Sequence, residues 1–215
     1  MGRWGLRKPP PLPSCIETDW DEGLFEGDSD VDIMDRIHVE IQEMLKSKAI
    51  IVPDVQLADL LFNKEQPTCQ PTQSSMTSLQ VRDHLNSISD RLFLQCRKKG
   101  DLWYGKYKTI ILGVLLMSGG VKLGSHRTFL YQAAGRVGSS PGYRPPMNDI
   151  GFRDPGKVQF LAALDHYEDG KPRDIQAPSC FKCGRISTDI RPATLKNCGR
   201  CKKAWYCDQE CQKGN

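Results

Sequence analysis

Three closely spaced cysteine pairs near the end of the chain constrain it more than any other feature. They are Cys180-Phe-Lys-Cys183, Cys198-Gly-Arg-Cys201 and Cys207-Asp-Gln-Glu-Cys211. Six of the nine cysteines fall within 32 residues. Thiolates are soft ligands: two of them two or three residues apart grip one ion, and four complete a tetrahedron around zinc. A disulfide cluster would need an oxidising compartment, which nothing in the sequence supports. The six cysteines are therefore read as metal ligands and Zn2+ as the cofactor. A segment this short cannot bury a core of its own, so the metal must fold it; structural zinc contributes roughly 10–16 kcal/mol in such peptides. One distribution of ligands is a sequential ribbon, with Cys180, Cys183, Cys198 and Cys201 on one ion.

The stretch also resembles the MYND-type zinc finger. The resemblance rests on the cysteine pairs, on Tyr206 immediately before Cys207 and on Gln212 immediately after Cys211. It covers residues 180–215, and the fourteen residues between the first two pairs exceed the usual spacing of the family. It implies an interleaved distribution, in which Cys180, Cys183, Cys207 and Cys211 share one zinc. Cys198 and Cys201 then belong to a second, together with a His and an eighth Cys that the family places beyond the sixth. The sequence stops at Asn215 before either, so it is expected to be a piece of a longer one. Cys207 and Cys211 are four apart, and a helix there would put both on one face. Asp208 and Glu210 suit the first turn of that helix, near its positive end. The resemblance further implies binding of short proline-rich peptides that carry a Leu. Trp205 and Tyr206 are the expected exposed aromatic contacts, with Gln212 beside them.

At 215 residues the chain has room for one ordinary domain plus a small module. Thirty Lys and Arg against 26 Asp and Glu leave +4, too mild a balance to argue for nucleic acid. The finger is more basic: Lys182, Arg185, Arg191, Lys196, Arg200, Lys202, Lys203 and Lys213 face Asp189, Asp208 and Glu210. Zinc-bound thiolates blunt that charge. Met1–Pro13 lacks an apolar core of signal-peptide length. The longest apolar run, Ile110–Met117, is interrupted by Gly113 and falls far short of the roughly 20 residues that span a bilayer. A membrane partner is not expected, and the nucleus or cytoplasm is the expected location.

The expected architecture is mostly α: a small helical domain plus a C-terminal zinc-stabilised finger, behind a disordered N-terminus. Residues 1–28 form a proline-rich, then acidic leader. Pro9-Pro10-Pro11-Leu12-Pro13 favours polyproline II, and nine acids follow from Glu17 to Asp35 with no Lys, Arg or His among them. Residues 29–63 form a helical segment, with one helix from Ser29 or Asp30 to about Lys48 carrying Met34, Ile37, Ile41 and Met44 or Leu45 on one stripe. A second, short helix is expected over Val55–Phe62. Residues 64–78 read as a linker. Residues 79–169 form the helical domain. Its first helix is signalled by capping-box spacing at Thr77 and Gln80 and by Val81, Leu85, Ile88, Leu92 and Cys96. Trp103–Met117 fits helix or strand by periodicity, and its length favours helix. Ser118-Gly119-Gly120 reads as a turn, because the Lys-Ser/Thr of a phosphate loop is missing. Leu123–Ala134 reads as a helix and Gly135–Gly151 as a loop. Asp154-Pro155 opens the last helix with Pro at its first position; Val158, Leu161 and Leu164 face inward, and Gly170 stops it. Residues 170–179 link to the finger at 180–215.

The four histidines, His38, His84, His126 and His166, lie in different elements, and no nucleophile comes with a recognisable elbow or neighbouring base. The chain is therefore read as non-catalytic: a zinc-binding adaptor for protein–protein interaction whose finger recruits proline-rich partners, its own Pro9–Pro13 among the candidates. The alternatives are a transcriptional regulator, with the acidic segment recruiting co-activators and the finger contacting DNA or a co-regulator, and a fragment of a larger enzyme such as a MYND-containing methyltransferase.

Overall fold

The apolar run Ile110–Met117, ambiguous by periodicity, is the middle of a helix at the centre of the molecule. The structure is a computed structural model and describes residues 28–53, 57, 61, 78–98, 105–140, 151–153, 155–175, 177–199, 202 and 204–213. The helices are α1 (Asp28–Ser47), α2 (Ser78–Lys98), α3 (Gly105–Ser118), α4 (His126–Arg136), α5 (Gly156–His166) and the short α6 (Gln209–Lys213). Two pairs of two-residue strands accompany them: β1 (Ser139–Ser140) runs parallel to β2 (Phe152–Arg153), and β3 (Lys196–Asn197) antiparallel to β4 (Trp205–Tyr206). The fold is mostly α with a finger at its C-terminal end, as expected.

Every residue of α3 from Thr109 to Ser118 is buried. A helix enclosed by neighbours is apolar all round, which is why its pattern shows no stripe. α1, α2 and α4 each pack against it. Gly113 makes the closest approach possible: a Cβ there would lie 2.8 Å from Leu130 Cδ1 of α4. Truncating a buried core residue such as Leu115 to Ala would cost about 2–5 kcal/mol.

α1 presents Ile33, Ile37, Ile41, Met44 and Leu45 to the same core cluster that takes in α2 to α5. Met34, expected on that stripe, is only partly buried against it. Of the short helix expected over Val55–Phe62, Leu57 and Leu61 are described; both are helical and buried. α2 buries Val81, Leu85, Ile88, Leu92 and Cys96, so Cys96 packs as a small apolar side chain. Thr77 and residues 1–27 of the leader, including Pro9–Pro13, lie outside the described residues, as do the linker residues 64–77.

The turn at Ser118-Gly119-Gly120 is a helix stop. Val121 N–H bonds to Leu116 O (2.9 Å), Gly120 N–H bonds to Met117 O (3.1 Å), and Gly120 sits at φ +71°. Arg82 Nε from α2 donates to the carbonyl end of that helix at Gly119 O, 2.9 Å. α4 starts later than expected, at His126; ahead of it Leu123 N–H donates to Asp169 Oδ1 (3.1 Å).

α5 differs from expectation at both ends. Pro155 is its N-cap rather than its first helical residue. The helix ends at His166, since Tyr167 turns to extended backbone and its hydroxyl donates to Val121 O at 2.7 Å. Its inward face is Gln159, Phe160, Ala163 and Leu164, whereas Val158, expected inside, is exposed and Leu161 only partly buried. The stretch after α5 then returns to the core: Arg173 N–H donates to Met117 O (2.9 Å), and Arg173 and Ile175 are buried. Among the described residues no helix is long and apolar enough to cross a membrane.

Candidate metal centre

The first cysteine pair sits in a tight turn. Gly184 N–H donates to Cys180 O and Cys180 N–H to Arg185 O, both 2.8 Å. The turn needs a left-handed residue after Cys183, and Gly184 supplies it at φ +75°. The second pair begins the same way: Lys202 N–H donates to Cys198 O and Cys198 N–H to Ala204 O, both 2.8 Å, with Lys202 at φ +53°. The third pair arrives on β4. Phe181 N–H bonds to Trp205 O (2.8 Å) and seats that strand beside the first turn, so Cys207 emerges next to Cys183. Asp208 Oδ1 accepts from Cys211 N–H at 2.7 Å. Asp208 is thus the N-cap of α6, and its bond orients the helix turn that carries Cys211.

This brings Cys180, Cys183, Cys207 and Cys211 together, every Sγ within 4.8 Å of the others. Cys183 Sγ and Cys207 Sγ stand 3.3 Å apart. Four sulfurs at 2.3 Å from one zinc stand about 3.8 Å apart in a tetrahedron. The donor set is therefore the right size for a closed four-thiolate zinc site. The cysteine grouping is the interleaved one and not the sequential ribbon: Cys198 stands apart from the cluster, and Cys201 lies outside the described residues.

Without a cation the four thiols do not all ionise. Burial alone would raise the Cys183 thiol, but hydrogen bonds from the Arg185 side chain and backbone, and from neighbouring thiols, bring it down to about 7. Arg185 Nε lies 3.3 Å from its sulfur. Burial, and then the negative charge and hydrogen bonding of Cys180 and Cys183, push Cys211 up to about 12 and Cys207 well above the usual thiol range. A bound divalent cation removes that penalty by neutralising two of the four charges. When bound, zinc supplies structural cross-linking. Arg185 offsets part of the remaining negative charge and steadies Cys183, an outer contact that tunes the ligand.

The aromatic pair expected at the surface is split by the strand. On β4, Tyr206 is buried, 4% exposed, and packs on Phe181 with ring centroids 6.4 Å apart. Trp205, on the opposite face, is half-buried. Neighbouring residues on a strand point to opposite faces, and Tyr206 is the one that belongs to the finger's core. Cys180, Phe181, Leu195, Ala204 and Tyr206 form the finger's own small core. Gln212 is exposed, its amide reaching toward Cys198 Sγ at 3.9 Å.

Residues 180–215 match the family model of the MYND finger. A MYND finger is a zinc-binding protein–protein interaction module, and this one covers about a sixth of the chain. No curated protein and no solved structure matches the chain.

Gly184, Arg185 and Asp189 hold the MYND finger in place without having been singled out in the sequence for it, and Asp208, expected in the first turn of the last helix, is its N-cap. Two had local signals, a Gly directly after Cys-x-x-Cys and an Asp three residues before Cys211. Asp189 had none, because its partner Arg173 lies outside the finger. Arg173 grips it with both terminal nitrogens (2.6 and 3.0 Å), and Asp189 Oδ2 also accepts from Ile186 N–H at 3.0 Å. Both side chains are buried, 7% and 4% exposed. Burial would raise the Asp189 carboxyl, but these bonds and the Arg173 charge hold it below the ordinary carboxylate range.

Proposed function

We propose that this protein is a non-catalytic adaptor whose MYND finger recruits partners through short proline-rich peptides carrying a Leu. The observation that carries the reading is the finger's outer edge, where half-buried Trp205 on β4 and exposed Gln212 on α6 offer an aromatic face and an amide close to the metal cluster. Polyproline segments present a preformed helix that docks on aromatic-lined surfaces at little entropic cost. The four-thiolate site leaves no open coordination position for a substrate, which favours a structural metal. His126 favours the same non-catalytic role: its Nε2 meets Asp90 Oδ1 at 2.6 Å, its Nδ1 meets Arg97 at 3.1 Å, and its ring stacks on Phe93. Recruitment of such a partner fits the nucleus or the cytoplasm. The chain's own Pro9-Pro10-Pro11-Leu12-Pro13 has the required chemistry and is one candidate ligand.

The test is a titration of the zinc-loaded chain with a synthetic Pro-Pro-Pro-Leu-Pro peptide, followed by NMR. The Trp205 indole and the Gln212 side-chain amide should shift, and Trp205→Ala should weaken binding at least tenfold. If the peptide moves no finger resonance at millimolar concentration, proline-rich recognition is wrong. Binding of the zinc-loaded chain to duplex DNA with a steep salt dependence would favour the transcriptional-regulator reading instead.

A further inference from the structure

The finger is seated on the helical body through residues that flank its first cysteine pair. Ser179, Gly184 and Asp189 make the contacts, all from the segment that brackets the first cysteine pair. Ser179 Oγ accepts from Gln159 Nε2 of α5 at 2.7 Å. Gly184 lies on the α5 backbone itself, where a Cβ would fall 2.3 Å from Val158 O and 2.6 Å from Gln159 Cα. Asp189 takes the buried Arg173 fork. The seat is close-packed on its Gln159 side, where the cavity between Gln159, Arg173, Ser179, Gly184 and Ile186 measures about 10 Å3, room for one water molecule at most; on the Asp189 side a cavity of about 440 Å3 opens between His166, Arg173, Ile186 and Asp189.

Each contact lies on, or next to, the turn that a metal at the cluster would close. Cys180 and Cys183 bracket it, Gly184 N–H closes it onto Cys180 O, and Ser179 pairs with Ile186 across its base. Ile186 leads directly into the Ser187–Ile190 turn that carries Asp189. The finger's own core of five buried residues is too small to hold this geometry alone. On its other side α5 packs on α4 and β2.

We infer that the first zinc turn of the finger is an internal docking surface for α5, so that zinc loading controls the order of the helical body. Zinc and the body are coupled through that surface. Loss of the metal releases α5, and weakening the seat loosens the metal by the same factor, because linkage is reciprocal. The finger therefore presents its outer edge at an angle set by the body and only while the metal is bound.

Hydrogen exchange on the full-length chain, with zinc and after removal by EDTA, tests this directly. Amides of α5 should exchange at least tenfold faster without zinc; a loss of protection that extends to α2 fits equally, because both belong to one core. Unchanged protection across α5 would overturn the inference and make the finger an independent module. The reciprocal arm uses Asp189→Asn, a residue that binds no metal. In equilibrium competition with a chromophoric chelator, this variant should bind zinc at least tenfold more weakly than the native chain. An unchanged affinity overturns the inference. If that variant does not fold, Gln159→Ala replaces it, with a loss of at least threefold in affinity expected and an unchanged affinity counting against the coupling.

Discussion

Gly184 and Val158 are in backbone-to-backbone contact: a Cβ on Gly184 would stand 2.3 Å from the Val158 carbonyl oxygen. The two residues belong to different parts of the chain, one to a zinc-holding turn and the other to α5. No side chain intervenes, so the fit leaves no flexible end to give way. The same glycine is at φ +75°, a conformation that a residue with a Cβ adopts at a cost.

Gly184→Ala should therefore destabilise the protein by about 3 kcal/mol or more, about 1–2 from the left-handed backbone and the remainder from overpacking. Urea denaturation of the zinc-loaded chain measures it. A loss under 1 kcal/mol would mean that the finger does not sit on α5.

Cys207→Ser should abolish tight zinc binding at the four-sulfur cluster, whereas Cys198→Ser should leave that ion bound, because Cys198 is not part of it. Native mass spectrometry of the two variants distinguishes them. Retention of the ion in Cys207→Ser together with its loss in Cys198→Ser would establish the sequential ribbon.

Zinc affinity should fall steeply as the medium becomes acidic. In the metal-free cluster the Cys207 and Cys211 thiols are raised, and Cys211 at about 12 is protonated at neutral pH. Binding must displace both protons, so each unit of pH below 8 should weaken apparent affinity about 100-fold or more. Cys183, at about 7, adds a third proton below neutrality. Competition with a chelator of known pH dependence gives the slope. A change of only tenfold per unit would mean that a single thiol ionises on binding.

Ala49 closes α1 in the left-handed conformation, φ +58°. Ile50 N–H bonds to Leu45 O (3.0 Å) and Ala49 N–H to Lys46 O (2.9 Å), the pattern in which glycine is the usual closing residue. Ala49→Gly should stabilise the protein by about 0.5–1 kcal/mol, the left-handed penalty of Ala outweighing the added entropy of Gly in the unfolded chain. A lower denaturation midpoint for the variant would contradict this.

Local chemistry made much of the molecule legible in the sequence. Thiol spacing pointed to zinc, the stripes Ile37, Ile41, Leu45 and Val81, Leu85, Ile88, Leu92 marked α1 and α2, and Gly119-Gly120 marked a stop. Each of these depends on residues a few positions apart, so one stretch of chain carries the whole signal. Tertiary structure decided the rest. Which cysteines share an ion depended on β4 lying beside the first turn, through the bond from Phe181 to Trp205 O. The exposure of Tyr206 and Val158 depended on which face of each element met a neighbour. The seat of the finger on α5 depended on Gly184, Arg173 and Asp189 meeting across sequence separations that no periodicity records. Spacing along the chain encodes which atoms can bind a metal or turn a helix; only packing, which selects among many compatible arrangements, determines what those elements rest against.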